Sequence, residues 1–284
     1  MLIPGKPRPE PFSRPISRVE QWSLSAPRGR AEEVQLCVEG DGAIDPAALA
    51  AAVATASQAC PGARLVRRGL QWVDSGRAPA VRLARAADFD RARLDSPLLR
   101  RPLARHSGAP SCEVILVLGT PTTVVFRAQH AVMDAAGAML WQTQVFRALR
   151  GEAVEGATNE FTPEQLTAEA AAKHGCDLWL PSKELWLGPS ILGPALPRAR
   201  QSMFRRRTIE GTHPPVTAKI ARLVTACVGG EGRVAVPVGL RQYLPGLRTT
   251  GNAGGVVVFL VHKDEDWNDV HASLLTALNE HRYL

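Results

Sequence analysis

His130 and Asp134 stand four residues apart in Pro121-Thr-Thr-Val-Val-Phe-Arg-Ala-Gln-His-Ala-Val-Met-Asp-Ala-Ala-Gly, and they are the first candidates for chemistry in this chain. A neutral imidazole titrates in the range where a proton must be taken from an attacking amine or hydroxyl. The His-x-x-x-Asp spacing alone is weak, because a loop histidine beside an ordinary helix-capping aspartate has the same signature. The elements around it sharpen the signal. Thr122 to Ala128 is β-branched and apolar enough for a buried strand. Asp134 sits where an N-cap belongs, ahead of Met139, Leu140, Trp141, Val145, Phe146 and Leu149 at helical spacing, and Gly151 closes that helix. His130 is thus delivered at the carboxyl end of a strand, one tight turn before a helix.

The other polar residues offer less. His106, His174, His213, His271 and His281 fall in polar loops or on a solvated helix face, and His262 ends an apolar strand. Cys37, Cys60, Cys112, Cys176 and Cys227 are isolated and odd in number, with no ligand spacing, so neither a disulfide framework nor a metal site is expected. Buried, reduced thiols are the expected state. Trp72, Trp141, Trp179, Trp186 and Trp267, five of the six tryptophans, are expected mainly in packing.

The 284 residues, 45% hydrophobic and 21% charged, describe a globular chain of one large or two modest domains. A net charge of +7 invites a nucleic-acid reading. The basic residues are almost all arginines spread along the chain, with no basic helix face interleaved with aromatics, so no nucleic-acid partner is expected. The longest apolar runs, Val114 to Leu118 and Val256 to Val261, are strand-sized, so no membrane span is expected. The proline-rich start has no apolar core of a signal peptide, and a cytoplasmic location follows by default.

In chain order, a proline-ruled arm reaches to about residue 18, and Ile16 to Leu24 can carry a short helix. Glu33 to Val38 alternates as a strand, and Asp45-Pro46 starts a helix to about Gln58. Ala63 to Val73 is a strand or hairpin kinked at Gly69, and Ala80 to Leu83 is a short strand. Cys112 to Leu118 and Thr122 to Ala128 are antiparallel neighbours, and Pro163 to Lys173 is a helix. Leu187 to Ala199 reads as a linker. Beyond it come a strand at Phe204 to Ile209, an amphipathic helix at Pro215 to Cys227, strands at Arg233 to Val238 and Gly255 to His262, and a last helix capped by Asn268 or Asp269.

Residues 129–135, Gln-His-Ala-Val-Met-Asp-Ala, resemble the His-His-x-x-x-Asp-Gly segment of the condensation-domain and chloramphenicol acetyltransferase superfamily. The run from Val236 to Asn252 resembles that family's second-lobe stretch, in which an arginine-bearing segment precedes a glycine-asparagine entry into a strand. The resemblance implies an α/β, two-layer fold: a lobe with a mixed, largely antiparallel sheet over 1–186, a linker over 187–201, and a partial second lobe of the same kind over 202–284. Relative to the family pattern the second lobe is truncated. A homo-oligomer or a second chain completing it is therefore expected.

The function implied is transfer of an acyl group from a coenzyme A or carrier-protein phosphopantetheine thioester to an amine or hydroxyl, in nonribosomal peptide or lipid biosynthesis. His130 matches the family's second histidine, the chemical one, and is the expected general base. Asp134 is expected to pair with an arginine that shapes the loop, with Arg241 the candidate. Gln129 replaces the first histidine and Ala135 the glycine; both, with Asn252, are candidates for the tunnel wall, though a turn asparagine is an equal reading of Asn252. No permanently bound cofactor or metal is implied. The competing reading is a non-catalytic module of the same lineage that binds carrier or synthetase partners, which Gln129, Ala135 and the short second lobe favour.

Overall fold

The computed structural model describes residues 12–25, 33–90, 96–175, 209–228 and 230–283. The expected linker at Leu187 to Ala199 lies outside them, as do most of the expected strand at Phe204 to Ile209, Cys176, Trp179, Trp186 and the proline-rich start.

Strand formation follows the β-branched runs. Strands β1 (Ser13–Pro15), β2 (Glu33–Gly40), β3 (Leu65–Arg68), β4 (Gln71–Asp74), β5 (Val81–Arg85), β6 (Cys112–Leu118) and β7 (Thr122–Gln129) form two sheets. The larger has the order β2-β7-β6-β5, antiparallel except for the parallel β5–β6 pair. β7 is therefore interior. It is buried along its whole length, which requires both faces to be covered and explains the consecutive apolar residues Val124, Val125 and Phe126. On one face Val114, Leu116, Val124, Phe126 and Ala128 pack with residues of helices α2 (Pro46–Ala59) and α4 (Ala135–Leu149). On the other, Ile115, Val117 and Val125 meet Phe89 and Leu99. Phe126 stands edge-on to Trp141, ring centroids 5.5 Å apart, and full burial of each such side chain is worth about 2–3 kcal/mol.

The smaller sheet runs β1-β4-β3, with Gly69 turning the β3–β4 hairpin at φ +59, a backbone region glycine enters without penalty. Helix α1 (Arg18–Ser25) follows β1 in the chain, and α3 (Pro97–Arg100) and α5 (Pro163–His174) are further helices of the described residues. Asp45 caps α2 by accepting from Ala48 N at 2.7 Å, as its position ahead of Pro46 predicts.

The chain forms two compact units. The first takes Met1–Leu166 together with Pro245–Ala253, and the second takes most of the rest, so a single break at 187–201 does not describe the division. Segment Pro245–Ala253 was expected in the second lobe and belongs instead to the first, because its backbone is paired there through Thr158 and Thr249.

In the second unit, α6 (Val216–Val228), β8 (Glu231–Gly239), β9 (Gly254–His262) and α7 (Trp267–Asn279) form an antiparallel ribbon with helices against β9. α6 is amphipathic as expected, yet it buries its small residues Ala218, Ala221 and Thr225 while Val216, Ile220, Leu223 and Val224 are exposed. Asp266 caps α7, accepting from Asn268 N at 2.8 Å, two to three residues earlier than the expected caps.

Candidate active site

The loop between β7 and α4 is held at almost every residue. Gln129 N donates to Ser111 O at 2.8 Å, and Gln129 O accepts from Val132 N at 2.9 Å, closing a tight turn over residues 129–132. The Gln129 side chain is buried, and its Nε2 donates to Ala104 O at 2.8 Å. His130 O accepts from Asn252 Nδ2 at 2.8 Å. Val132 O accepts from Asn159 Nδ2 at 3.0 Å. Asp134 then caps α4: its Oδ1 accepts from Gly137 N at 2.7 Å and its Oδ2 from Ala253 N at 2.9 Å. One carboxylate thereby fastens the start of the helix to the 249–253 segment.

Gly137 makes that fastening fit. A Cβ built on it would lie 2.0 Å from the carbonyl oxygen of Thr250, so only glycine lets the helix and the segment approach so closely.

Asn159 belongs to a buried network that sequence reading did not find. Its Oδ1 accepts from Arg14 Nη2 at 2.8 Å, its main-chain oxygen accepts from Arg14 Nε at 2.7 Å, and its Nδ2 also reaches Thr250 Oγ1 at 3.1 Å. Arg14 makes a bidentate pair with Glu20, at 2.6 and 2.9 Å, with both side chains nearly without exposure. Glu20 also accepts from Ser17 N, while Ser17 Oγ accepts from Glu20 N, which is a capping box at the start of α1. That Ser-x-x-Glu spacing was the legible signal. Asn159 thus ties the loop at Val132 O to the buried Arg14.

Beneath the loop, the second face of the sheet carries a polar ladder. Glu33 pairs in register with Gln129, and Gln35 and Glu113 with Arg127. Arg127, fully buried, holds the Glu113 carboxylate and donates to Leu99 O and Arg101 O. Glu33 accepts from Leu103 N at 3.0 Å, and Gln35 donates to Leu99 O at 3.0 Å. The ladder clasps residues 99–104 against the strand that bears His130.

The His130 side chain is exposed, and among the described residues its imidazole makes no hydrogen bond. Ala135 is exposed at the first position of α4. Asn252 is half-buried, with Oδ1 inside and without a donor among the described residues. Arg241 lies in the second unit, half-buried at the start of the 3-10 turn Arg241–Tyr243.

The thiols offer no nucleophile in the first unit's interior. Burial pushes Cys60 and Cys112 up to about 12, so both stay protonated in ordinary buffers. Cys37 and Cys227 are exposed, against the expectation that all were buried. Among the described residues no three His, Cys, Asp or Glu side chains group as a metal ion needs.

No family model and no curated protein matches this sequence. Solved structures do match its fold. The tallysomycin biosynthesis protein TlmII superposes with a TM-score of 0.60 at 18% identity, over 95% of this chain and 74% of that one. The first condensation domain of the CDA synthetase gives 0.61 at 17%, over 96% and 76%. TRI101 of F. sporotrichioides, complexed with coenzyme A and T-2, gives 0.60 at 13%, over 95% and 75%. The chain therefore has the mixed α/β fold of these solved structures, condensation domains among them.

Proposed function

We propose that this protein is a condensation-type acyltransferase with His130 as its general base. The observation that carries this reading is an exposed imidazole without a hydrogen-bonding partner among the described residues, on a loop whose neighbouring peptides are each fixed to other parts of the first unit. A base needs that combination: a free nitrogen for the substrate and a backbone that does not drift.

In the reaction, His130 accepts the proton of an amine or hydroxyl as the new C–N or C–O bond forms at the thioester carbonyl. The tetrahedral intermediate then expels the thiolate, which takes the proton. The donor class is coenzyme A or a carrier-bound phosphopantetheine thioester, and an acidic carrier protein suits the arginine-rich surface. Asp134 positions the loop through Gly137 N and Ala253 N.

Gln129 does not weaken the reading. Its amide supports the loop by donating to Ala104 O, and the reacting imidazole is the next residue.

The test is thiol release from a panel of acyl-coenzyme A donors offered amine and alcohol acceptors. His130→Ala should lower turnover about 10²–10⁴-fold with little change in stability. Equal release by wild type and His130→Ala would mean that the histidine is not the base, and no release above background by wild type would turn the reading toward the non-catalytic module.

A further inference from the structure

A cavity of about 300 Å³ opens on the hairpin side of the first unit, walled by the 3-10 turn Pro61–Arg64, strand β3, the loop from Ser75 to Pro79, and Gly108 with Pro110. It shares no residue with the His130 loop. Arg64, Arg68 and Arg77 line it, and none of its lining residues is acidic.

The carboxylate paired with its Arg64 is Asp74, and that carboxylate is occupied. Its Oδ2 holds Arg64 Nη2 at 2.5 Å, and its Oδ1 accepts from Gly76 N at 2.9 Å. Asp74 is buried, so it fixes the Arg64 guanidinium without reaching the opening. Arg64 Nε is buried and has no acceptor. Arg68 and Arg77 are exposed, and among the described residues their side chains have neither hydrogen bonds nor ion pairs. The loop that carries Arg77 is itself braced: Ser75 Oγ donates to Arg64 O at 2.7 Å and accepts from Arg77 N at 3.2 Å. Three arginines, one of them oriented by Asp74 and two without partners among the described residues, thus line one cavity.

We propose that this cavity binds a small organic phosphate, with Arg64, Arg68 and Arg77 as its clamp. The planar fork of a guanidinium matches two phosphate oxygens, and charge-assisted bonds of this kind are the strong ones. The volume decides against a lone carboxylate side chain. It reaches the lower end of small-molecule pockets, roughly 300–1,000 Å³, and so accommodates a phosphate together with the body that carries it. The inference stands apart from the His130 chemistry and does not depend on it.

Calorimetric titration of the whole chain at low ionic strength tests it, with glucose 6-phosphate, pyrophosphate, inorganic phosphate and a glutamate-rich peptide as probes. Wild type should bind one equivalent of glucose 6-phosphate, more tightly than inorganic phosphate. The double variant Arg68→Gln/Arg77→Gln should weaken that binding at least about tenfold, with an unchanged circular dichroism spectrum and an unchanged urea midpoint. Arg64 is left in place because its loss would strand Asp74. Equal affinities of wild type and double variant, or no binding by wild type, overturn the proposal. So does preference for the peptide, which would make the cavity a protein contact, and so does equal affinity for inorganic phosphate, which would remove the organic ligand.

Discussion

Asp134 does two jobs with two oxygens, and each is measurable. Asp134→Ala removes the N-cap of α4, worth about 1 kcal/mol, and the bond to Ala253 N, worth about the same again. A urea midpoint should record a loss near 2 kcal/mol, and Asp134→Asn, which keeps one acceptor oxygen, should restore part of it. Gly137 answers to a different constraint. Gly137→Ala places a methyl group where the Thr250 carbonyl now sits, so the 249–253 segment must move. We expect a loss of about 2–3 kcal/mol and a fall in turnover with His130 intact. Wild-type stability in Gly137→Ala would show that the close approach is not required. At this scale His130 and Asp134 were legible, since a cap and a strand end mark them locally. The approach that demands Gly137 was not, because Thr250 lies far away in sequence and nothing around Gly137 announces it.

The strand, the loop and the helix were legible as elements too, within about two residues at their ends. β-branched runs and helical spacing are local signals, and both faces of β7 are covered, so consecutive apolar residues served as well as alternating ones. What stayed hidden are the polar elements that brace the site: β1, residues 157–159 and residues 248–253. They are short, they follow no period, and their polar groups are satisfied only by partners remote in the chain. Thr158 N, for instance, donates to Arg248 O, and Thr250 N donates to Thr158 O. The Arg14–Glu20 pair is the energetic centre of that brace. Glu20→Ala leaves the Arg14 guanidinium buried without its carboxylate, so a destabilisation of about 3–5 kcal/mol is expected, enough to be read as a large drop in melting temperature. Asn159→Ala frees Val132 O as well as Arg14. It should loosen the 129–134 loop, seen as faster hydrogen exchange at Val132 and Met133, whereas unchanged exchange would assign Asn159 to α1 alone.

Across the molecule the thiols report which surfaces are closed. At about pH 8, iodoacetamide should modify Cys37 and Cys227 and spare Cys60 and Cys112 until the chain unfolds, with the sites assigned by peptide mass. Burial raises the last two from 9.0 to about 12, Arg248 offsetting a little of the shift at Cys60. An unfolded thiol ionises first as pH rises, so the stability these neutral groups carry is whole below about pH 9 and is lost between there and about pH 12. Denaturant midpoints should accordingly fall above pH 9, and less steeply in a Cys112→Ala variant. The apolar exposure of α6 and the return of residues 245–253 to the first unit could not be read from the sequence, because which side of an amphipathic helix is covered is decided by the whole molecule.

Asn252 reaches His130 across 122 residues, and Arg14 reaches Asn159 across 145. Contacts of such separation form late, because long loops must close before they repay the entropy lost, while the β6–β7 hairpin and α4 assemble from neighbours. On the ribosome the order is stricter still. The strand, the histidine and the helix leave the exit tunnel well before Asn252 has been joined to the chain, so a nascent protein carries its reactive residue long before it carries a site.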